Sequence, residues 1–324
     1  MKINDEKIFN DVIKQIKTQF GKGCITTFNG ENETIDVIPT GSIHLDRALG
    51  VGGIPKGRII EIFGNESSGK TTLALQIVAQ CQKNNGKCAY IDLEHALDST
   101  YCKVNNVNVG ELLLAQPDSG EQAFSIIEEL IKTNLIDLIV VDSVAALVPE
   151  AELTGEMTEQ SIGLQARLMS KGLRICQGLM CKNQKTTIIF INQIREKIGI
   201  SFGNNEITTG GRALRFYSSV RIEMRRSELL KKDDECVGIK TCAKVIKNKV
   251  APPLAKAYIE IYFDRGIDHT LEIIDFSLEK GIIEKKGSWF YYGDEKIAQG
   301  KDSTREMLLN NPELFDKIKQ KALL

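Results

Sequence analysis

The run Arg58-Ile59-Ile60-Glu61-Ile62-Phe63 leads without a break into Gly64-Asn65-Glu66-Ser67-Ser68-Gly69-Lys70-Thr71-Thr72. No other stretch of the chain restricts its folding so tightly. The first part is β-rich, and the second fits G-x-x-x-x-G-K-[ST], a loop whose glycines let backbone N–H groups close around phosphate oxygens at a helix N-terminus. The motif needs a strand before it and a helix after it, and both patterns are present. Lys70 is placed to reach β- and γ-phosphates, and Thr71 to offer its hydroxyl to Mg2+. The other phosphate site of α/β folds, a dinucleotide fingerprint, is disfavoured because no G-x-G-x-x-G follows a strand.

Beyond this unit, β-rich runs alternate with helical patterns: CAYIDL at 88–93, DLIVVDS at 137–143, TTIIFIN at 186–192, VRIEM at 220–224, IKTCAKVI at 239–246 and YIEIYF at 258–263. The spacing predicts a helix from Lys70 to about residue 84 and another from Glu121 to Lys132, opened by a Ser119/Gln122 capping box. The expected fold class is therefore α/β, a P-loop NTPase core with a mainly parallel central sheet. Ahead of it, Ile8, Val12, Ile16 and Phe20 recur every fourth residue, predicting an amphipathic helix over 4–20 stopped by Gly21, followed by a short strand at 24–28 and a linker at 29–33. After Gly266 the pattern changes to a helix over 270–279, an aromatic hairpin at 282–292 and two closing helices, opened by a Ser303/Glu306 capping box and by Asn311-Pro312. We divide the chain into a helix–strand module (1–31), the core (32–267) and a small α+β module (268–324).

Composition narrows the partners. The 324 residues carry 42 Lys plus Arg against 43 Asp plus Glu, a net charge of -1, so a polyanion site has to be local. The eight cysteines contain no C-x-x-C pair, which disfavours a zinc or thioredoxin-like motif and predicts reduced, mostly buried thiols. No apolar run approaches spanning length and the polar start MKINDEKIFN is no secretory signal, so a cytoplasmic location without membrane contact is expected.

A triphosphate site needs more than its cradle. DLIVVDS ends a buried strand in Asp142, at the end of a parallel sheet where ligand-binding groups are presented, which makes it the magnesium-side carboxylate. Glu94, just past CAYIDL, is the best-placed group to activate water, with Asp92 as competitor; Gln193, after TTIIFIN, is an amide able to report a γ-phosphate.

The segments GNESSGKTT, YIDLEHALDSTY, LIVVDSVAALVPEAEL, FINQIREKIG, TTGGRALRFYSSVRIEMRR and VIKNKVAPP occur in that order, and together they resemble the bacterial RecA recombinases along almost the whole chain. The resemblance implies a RecA-type core and an ATP- and Mg2+-dependent helical filament of the chain on single-stranded DNA. That filament takes in double-stranded DNA, pairs homologous strands and exchanges them, in repair and the SOS response, with a LexA-like repressor among its partners. It implies that Gly64, Asn65, Glu66, Ser67, Ser68, Gly69, Lys70, Thr71 and Thr72 hold the nucleotide, that Asp98 and Tyr101 contact adenine, and that Glu94 is the catalytic carboxylate. Asp142 then serves magnesium together with Thr71, and Gln193 senses the γ-phosphate. Lys247 and Lys249 reach a neighbouring subunit's γ-phosphate, an effect comparable to an arginine finger.

Two polar stretches, 152–163 and 194–208, resemble the family's DNA-facing loops and lack helical or strand periodicity. Arg167, Arg174, Arg195, Lys197 and the arginines from Arg212 to Arg225 lie in or beside them, with Gly210 and Gly211 at the second loop's end. Phosphate contacts from these groups hold DNA without reading its sequence, and Ile162 and Ile198 are expected to wedge between bases. The chain departs from the family at Asn65 and Asn205, where proline is usual, and at Glu196, Arg212 and Phe263. Residues 301–324 carry five basic and four acidic side chains, so the restraint that an acidic tail places on duplex uptake is expected to be absent. The rival reading is a ring-forming P-loop helicase or translocase, disfavoured by the N-terminal module and the Lys247-Asn248-Lys249 element.

Overall fold

The computed structural model describes residues 2–21, 24–25, 35–156, 163–183, 185–196 and 206–323. The chain divides into two compact units, Met1–Ile35 and Asp36–Leu324. In the first, helix α1 (Lys2–Phe20) ends where Gly21 takes φ 97° and bonds back to the Lys17 carbonyl. Its repeat of Ile8, Val12 and Phe20, with Phe9, leaves an exposed apolar stripe. The strand expected over 24–28 lies from residue 26 onward outside the described residues, as does the linker at 29–33.

The second unit opens with the two-residue strands β1 (Val37–Ile38) and β2 (Ile54–Pro55), paired around helix α2 (Ile43–Leu49). The core continues with β3 (Ile59–Gly64), α3 (Lys70–Lys83), β4 (Cys88–Asp92), α4 (Ser99–Val104), β5 (Leu112–Ala115), α5 (Gly120–Lys132) and β6 (Leu138–Asp142). It is completed by α6 (Glu150–Thr154), α7 (Leu164–Asn183), β7 (Thr187–Glu196), β8 (Glu206–Thr208), α8 (Ala213–Tyr217), β9 (Val220–Lys232), β10 (Glu235–Asn248), β11 (Lys256–Tyr262) and β12 (Gly266–Ile267). The main sheet runs β12-β11-β10-β9-β3-β7-β6-β4-β5, with β8 on β7. From β9 to β5 all pairings are parallel, and from β9 to β12 they are antiparallel.

Every residue of β3, β4 and β6 is buried, which is why their sequences read as continuous apolar runs. Alternation decides which side each residue serves. Ile60, Ile62, Tyr90, Leu138 and Val140 pack with Leu73, Ile77 and Val78 of α3. Ile59, Ile91, Ile139 and Val141 pack with Phe124 and Ile127 of α5 and Met169 and Leu173 of α7. With both faces covered, the C-terminal ends of β3, β4, β6 and β7 open on one edge, and the segments following them carry the polar groups.

The chain continues with α9 (His269–Glu279), β13 (Ile283–Lys286), β14 (Trp289–Tyr292), β15 (Glu295–Gln299), α10 (Lys301–Asn310) and α11 (Pro312–Leu323), which share a core of Leu271, Ile274, Phe290, Leu308 and Ile318. Several sequence expectations change here. A third strand, β15, joins the hairpin; it buries only Ile297 deeply, too little to give a periodic signal. The Ser303/Glu306 box does not form, because α10 begins at Lys301 behind Gly300, which places Ser303 inside the first turn. Asn311 does cap α11, its Oδ1 accepting the Leu314 N–H at 3.2 Å.

In the core, β9 and β10 run on to Lys232 and from Glu235 as a long hairpin whose outer residues are largely exposed, so charge replaces alternation there. The described residues of the two stretches read as loops include regular structure. Helix α6 occupies Glu150–Thr154, and Ile194, Arg195 and Glu196 pair with Thr208, Ile207 and Glu206. The eight thiols are free, but only Cys81, Cys88, Cys102 and Cys176 are buried, so the expectation of mostly buried cysteines is half met.

Candidate nucleotide site and DNA-facing surface

The phosphate loop leaves β3 through Gly64, where an added Cβ would lie 2.1 Å from the Met224 carbonyl oxygen of β9. Only glycine lets the two backbones approach so closely. At the other end Gly69 takes φ 87° and starts α3, and a Cβ there would meet Ile261 Cδ1 at 2.3 Å. Between them the Asn65 carbonyl accepts from Ser68 Oγ at 2.8 Å and Lys70 Nζ at 2.7 Å, while Thr241 of β10 ties the Ser68 carbonyl down at 3.1 Å. Burial pushes the Lys70 ammonium below its usual value, and the carboxylates of Asp142, Glu94 and Glu66 push it back up.

Asp142 ends β6 facing this loop. Its Oδ2 accepts the Thr71 hydroxyl at 3.0 Å and the Tyr90 hydroxyl at 2.7 Å. Burial raises its carboxyl above the ordinary range, and those two hydrogen bonds oppose the rise. A hydroxyl beside a carboxylate is an oxygen set suited to a hard divalent cation, and the glycine cradle fits a phosphate, so the residues present fit ATP with Mg2+.

The two rival carboxylates separate cleanly. Asp92 is buried and spends its oxygens on Ala96 N, Leu97 N and Gln116 Nε2, which fixes the turn after β4. Glu94 is exposed, and its Oε1 receives the Gln193 side-chain amide at 3.1 Å and the Ser143 hydroxyl. Gln193 in turn accepts from Arg195 Nη2 at 2.7 Å. Glu94 and Ser143, just past β4 and β6, thus meet Gln193 of β7 beside the P-loop.

Asp98 caps α4 by accepting the Tyr101 N–H at 2.9 Å, and such backbone bonds hold its carboxyl below the usual range. The Tyr101 hydroxyl lies 2.6 Å from Thr72 Oγ1, which joins both expected base contacts to the start of α3. Lys247 closes β10 opposite Arg221, and its Nζ donates to the Arg215 and Phe216 carbonyls at 2.7 and 3.1 Å, the C-terminal end of α8. Burial, then Lys249 and Arg221, depress its ammonium. Lys249 bonds through its backbone to Ser219. Lys247 and Asn248 thus end the strand with partners of their own, while Lys249 follows it in an exposed bend.

Among the expected DNA contacts, Arg167 and Arg174 are exposed on α7, two turns apart, and Arg195 and Arg212 are exposed on β7 and ahead of α8. Gly210 and Gly211 take φ of 77° and 78°, and side chains there would collide with Val144 and Ala166. Ile162, Lys197 and Ile198 lie outside the described residues. Sequence reasoning missed Tyr90, Ser143 and a buried cluster in which Glu61 pairs with Arg221 and with Asn192, and Asn192 holds Thr209. The signal was present: Glu61 and Arg221 are charged residues inside otherwise apolar strands.

A RecA N-terminal domain family model matches residues 7–268 and a RecA C-terminal domain model residues 271–323. Among curated proteins, the chain is 54% identical over 320 residues to Protein RecA of Malacoplasma penetrans (strain HF-2), covering 98% of this chain and 96% of that one. It is 52% identical over 325 residues to Protein RecA of Thermus aquaticus, covering 100% and 95%. To Protein RecA of Acholeplasma laidlawii (strain PG-8A) it is 52% identical over 311 residues, covering 96% and 94%.

Proposed function

The chain belongs to the RecA family, and from that premise we propose how its residues divide the work. It is an ATP-dependent DNA recombinase: a helical homofilament on single-stranded DNA that binds duplex, pairs homologous strands and exchanges them, hydrolysing ATP to ADP and phosphate in recombinational repair and the SOS response. A cytoplasmic location goes with that assignment. We retain the division into an assembly module (1–31), an ATPase core (32–267) and a C-terminal domain (268–324).

Gly64 to Thr72 bind the triphosphate, with Lys70 exchanging its bond to Asn65 for phosphate oxygens. Thr71 and Asp142 hold Mg2+, which supplies neutralisation of the charge that develops on the β- and γ-phosphates. Asp98 and Tyr101 flank the base. Both bonds to Glu94 land on Oε1, so Oε2 is the oxygen we assign to orienting the attacking water and taking its proton.

Gln193 couples hydrolysis to DNA. Its amide N–H, spent on Glu94, is the group a γ-phosphate would compete for, and its carbonyl holds Arg195 at the base of the β7–β8 hairpin. A shift at Gln193 therefore moves the DNA-facing segment, which with Arg167, Arg174, Lys197, Gly210, Gly211 and Arg212 contacts the phosphates while Ile162 and Ile198 wedge the bases. Lys247 and Lys249 complete the site of the adjacent subunit.

The observation that carries this reading is the Glu94–Gln193–Arg195 chain of hydrogen bonds beside the P-loop. Glu94→Gln keeps an acceptor for Gln193 and removes the base. Turnover is expected to fall by about 10²–10⁴, while ATP binding, filament formation and one round of homologous pairing persist. Hydrolysis at the parental rate in this variant would reassign the catalytic carboxylate.

A further inference from the structure

Tyr90 sits in the middle of strand β4, 1% exposed, among the apolar side chains that pack on α3. Phenylalanine fills the same space, and a buried phenol without a partner is costly, so the hydroxyl needs a reason. Its hydrogen bond is to Asp142 Oδ2, at 2.7 Å. That same oxygen accepts the Thr71 hydroxyl, at 3.0 Å. A threonine hydroxyl has one proton and two lone pairs; committing the proton to Asp142 leaves the lone pairs for a cation. Carboxylate rotation about its last torsion is otherwise soft, and Thr71 could then follow either oxygen.

We propose that Tyr90 is a positioning residue for the magnesium site: its hydroxyl pins Oδ2 of Asp142 where that oxygen receives the Thr71 proton, holding the carboxylate and the Thr71 lone pairs ready for Mg2+. The proposal rests on the assignment of Thr71 and Asp142 to Mg2+ made above. In this proposal Tyr90 is not itself a ligand; it acts through the aspartate. Groups that orient metal-binding side chains typically contribute 10–100-fold to metal affinity, and a single neutral donor belongs at the lower end of that range.

The test uses the full chain with a non-hydrolysable ATP analogue and titrates Mg2+, reading the rise in unfolding temperature. Tyr90→Phe is expected to need about tenfold more Mg2+ for half of the nucleotide-dependent stabilisation. In chelator it should bind the analogue as the parent does, and its ATPase defect should shrink as Mg2+ is raised. A Mg2+ midpoint equal to the parent's, a turnover defect that saturating Mg2+ leaves untouched, or a loss of nucleotide-free stability as large as the loss with nucleotide would each overturn the proposal. Asp142→Asn, run alongside, separates the two levels. If it titrates like the parent, the magnesium assignment falls and Tyr90's role with it; if it alone shifts, only the role of Tyr90 falls.

Discussion

A methyl group at position 64 would sit 2.1 Å from a backbone oxygen, whereas one at position 69 would meet the end of a flexible isoleucine. The neighbours' ability to move separates the two cases. Gly64→Ala must push β3 away from β9, and we expect a loss of about 2–4 kcal/mol in urea unfolding. Gly69→Ala keeps room to adjust but needs φ 87°, so a cost of about 1–2 kcal/mol should appear together with weakened nucleotide binding. Lys247 makes a different kind of prediction. Its bonds to the end of α8 stabilise the chain that carries it, so Lys247→Met should cost no more than about 1–2 kcal/mol in thermal unfolding. As a cation given to a neighbour it should cost far more in rate: DNA-stimulated ATPase is expected to fall by about 10³ or more. Equal and small losses in both measurements would restrict Lys247 to its structural bonds.

Among the elements, α9 is fastened to the N-terminus of α2 by one carboxyl. Glu272 accepts from Ser42 Oγ at 2.6 Å and Ile43 N at 2.7 Å, and burial pushes its carboxyl up to about 8 from an ordinary 4.5. The folded state therefore binds more protons than the unfolded chain between those two values, so stability is fullest below about pH 4.5 and declines as pH rises through about 8. Asp46 works in the same direction but is raised only to about 6. Urea unfolding at pH 6.5 and 8.5 brackets the Glu272 titration, and buried Cys102 and Cys176, and His269, contribute alike to both proteins, so the difference between the two profiles reports Glu272: the parent is expected to lose more stability across that interval than Glu272→Gln. Helix starts show how neighbours adjust a local rule. Ser119 caps α5 as its sequence predicts, but Gln122 reaches back to the N–H of Asp118 rather than to that of Ser119.

For the whole molecule, a net charge of -1 means that DNA affinity comes from local arginines and lysines, and it should weaken with salt by about 0.7 log unit per log unit for each single-strand phosphate neutralised. Removing one such group, as in Arg174→Ala, is expected to reduce that slope by about 0.7 in fluorescence anisotropy titrations. The other large-scale feature is α1, with Ile8, Phe9 and Phe20 each more than half exposed. A filament offers such a stripe a second copy of the chain to bury it. Phe9→Asp is expected to abolish filaments in electron micrographs with ATP and single-stranded DNA while leaving nucleotide binding intact.

Local chemistry made the candidate nucleotide site legible: a glycine cradle between strand and helix and an aspartate closing an apolar run need no distant partner to be recognised, so the loop from Gly64 to Thr72, the place of Asp142 at a strand end and the parallel core could be read from residue order alone. Choosing Glu94 over Asp92 was legible only as a preference. The fold supports that preference, because Asp92 turns inward to the amides of its own loop while Glu94 faces Gln193, 99 positions away. The same holds for Tyr90 on Asp142, Glu61 with Arg221, and Lys247 on the end of α8, where the partners are 52, 160 and 32 or 31 positions apart. Hydrogen bonds form between atoms a few ångströms apart, and strand order, not sequence order, sets which atoms those are.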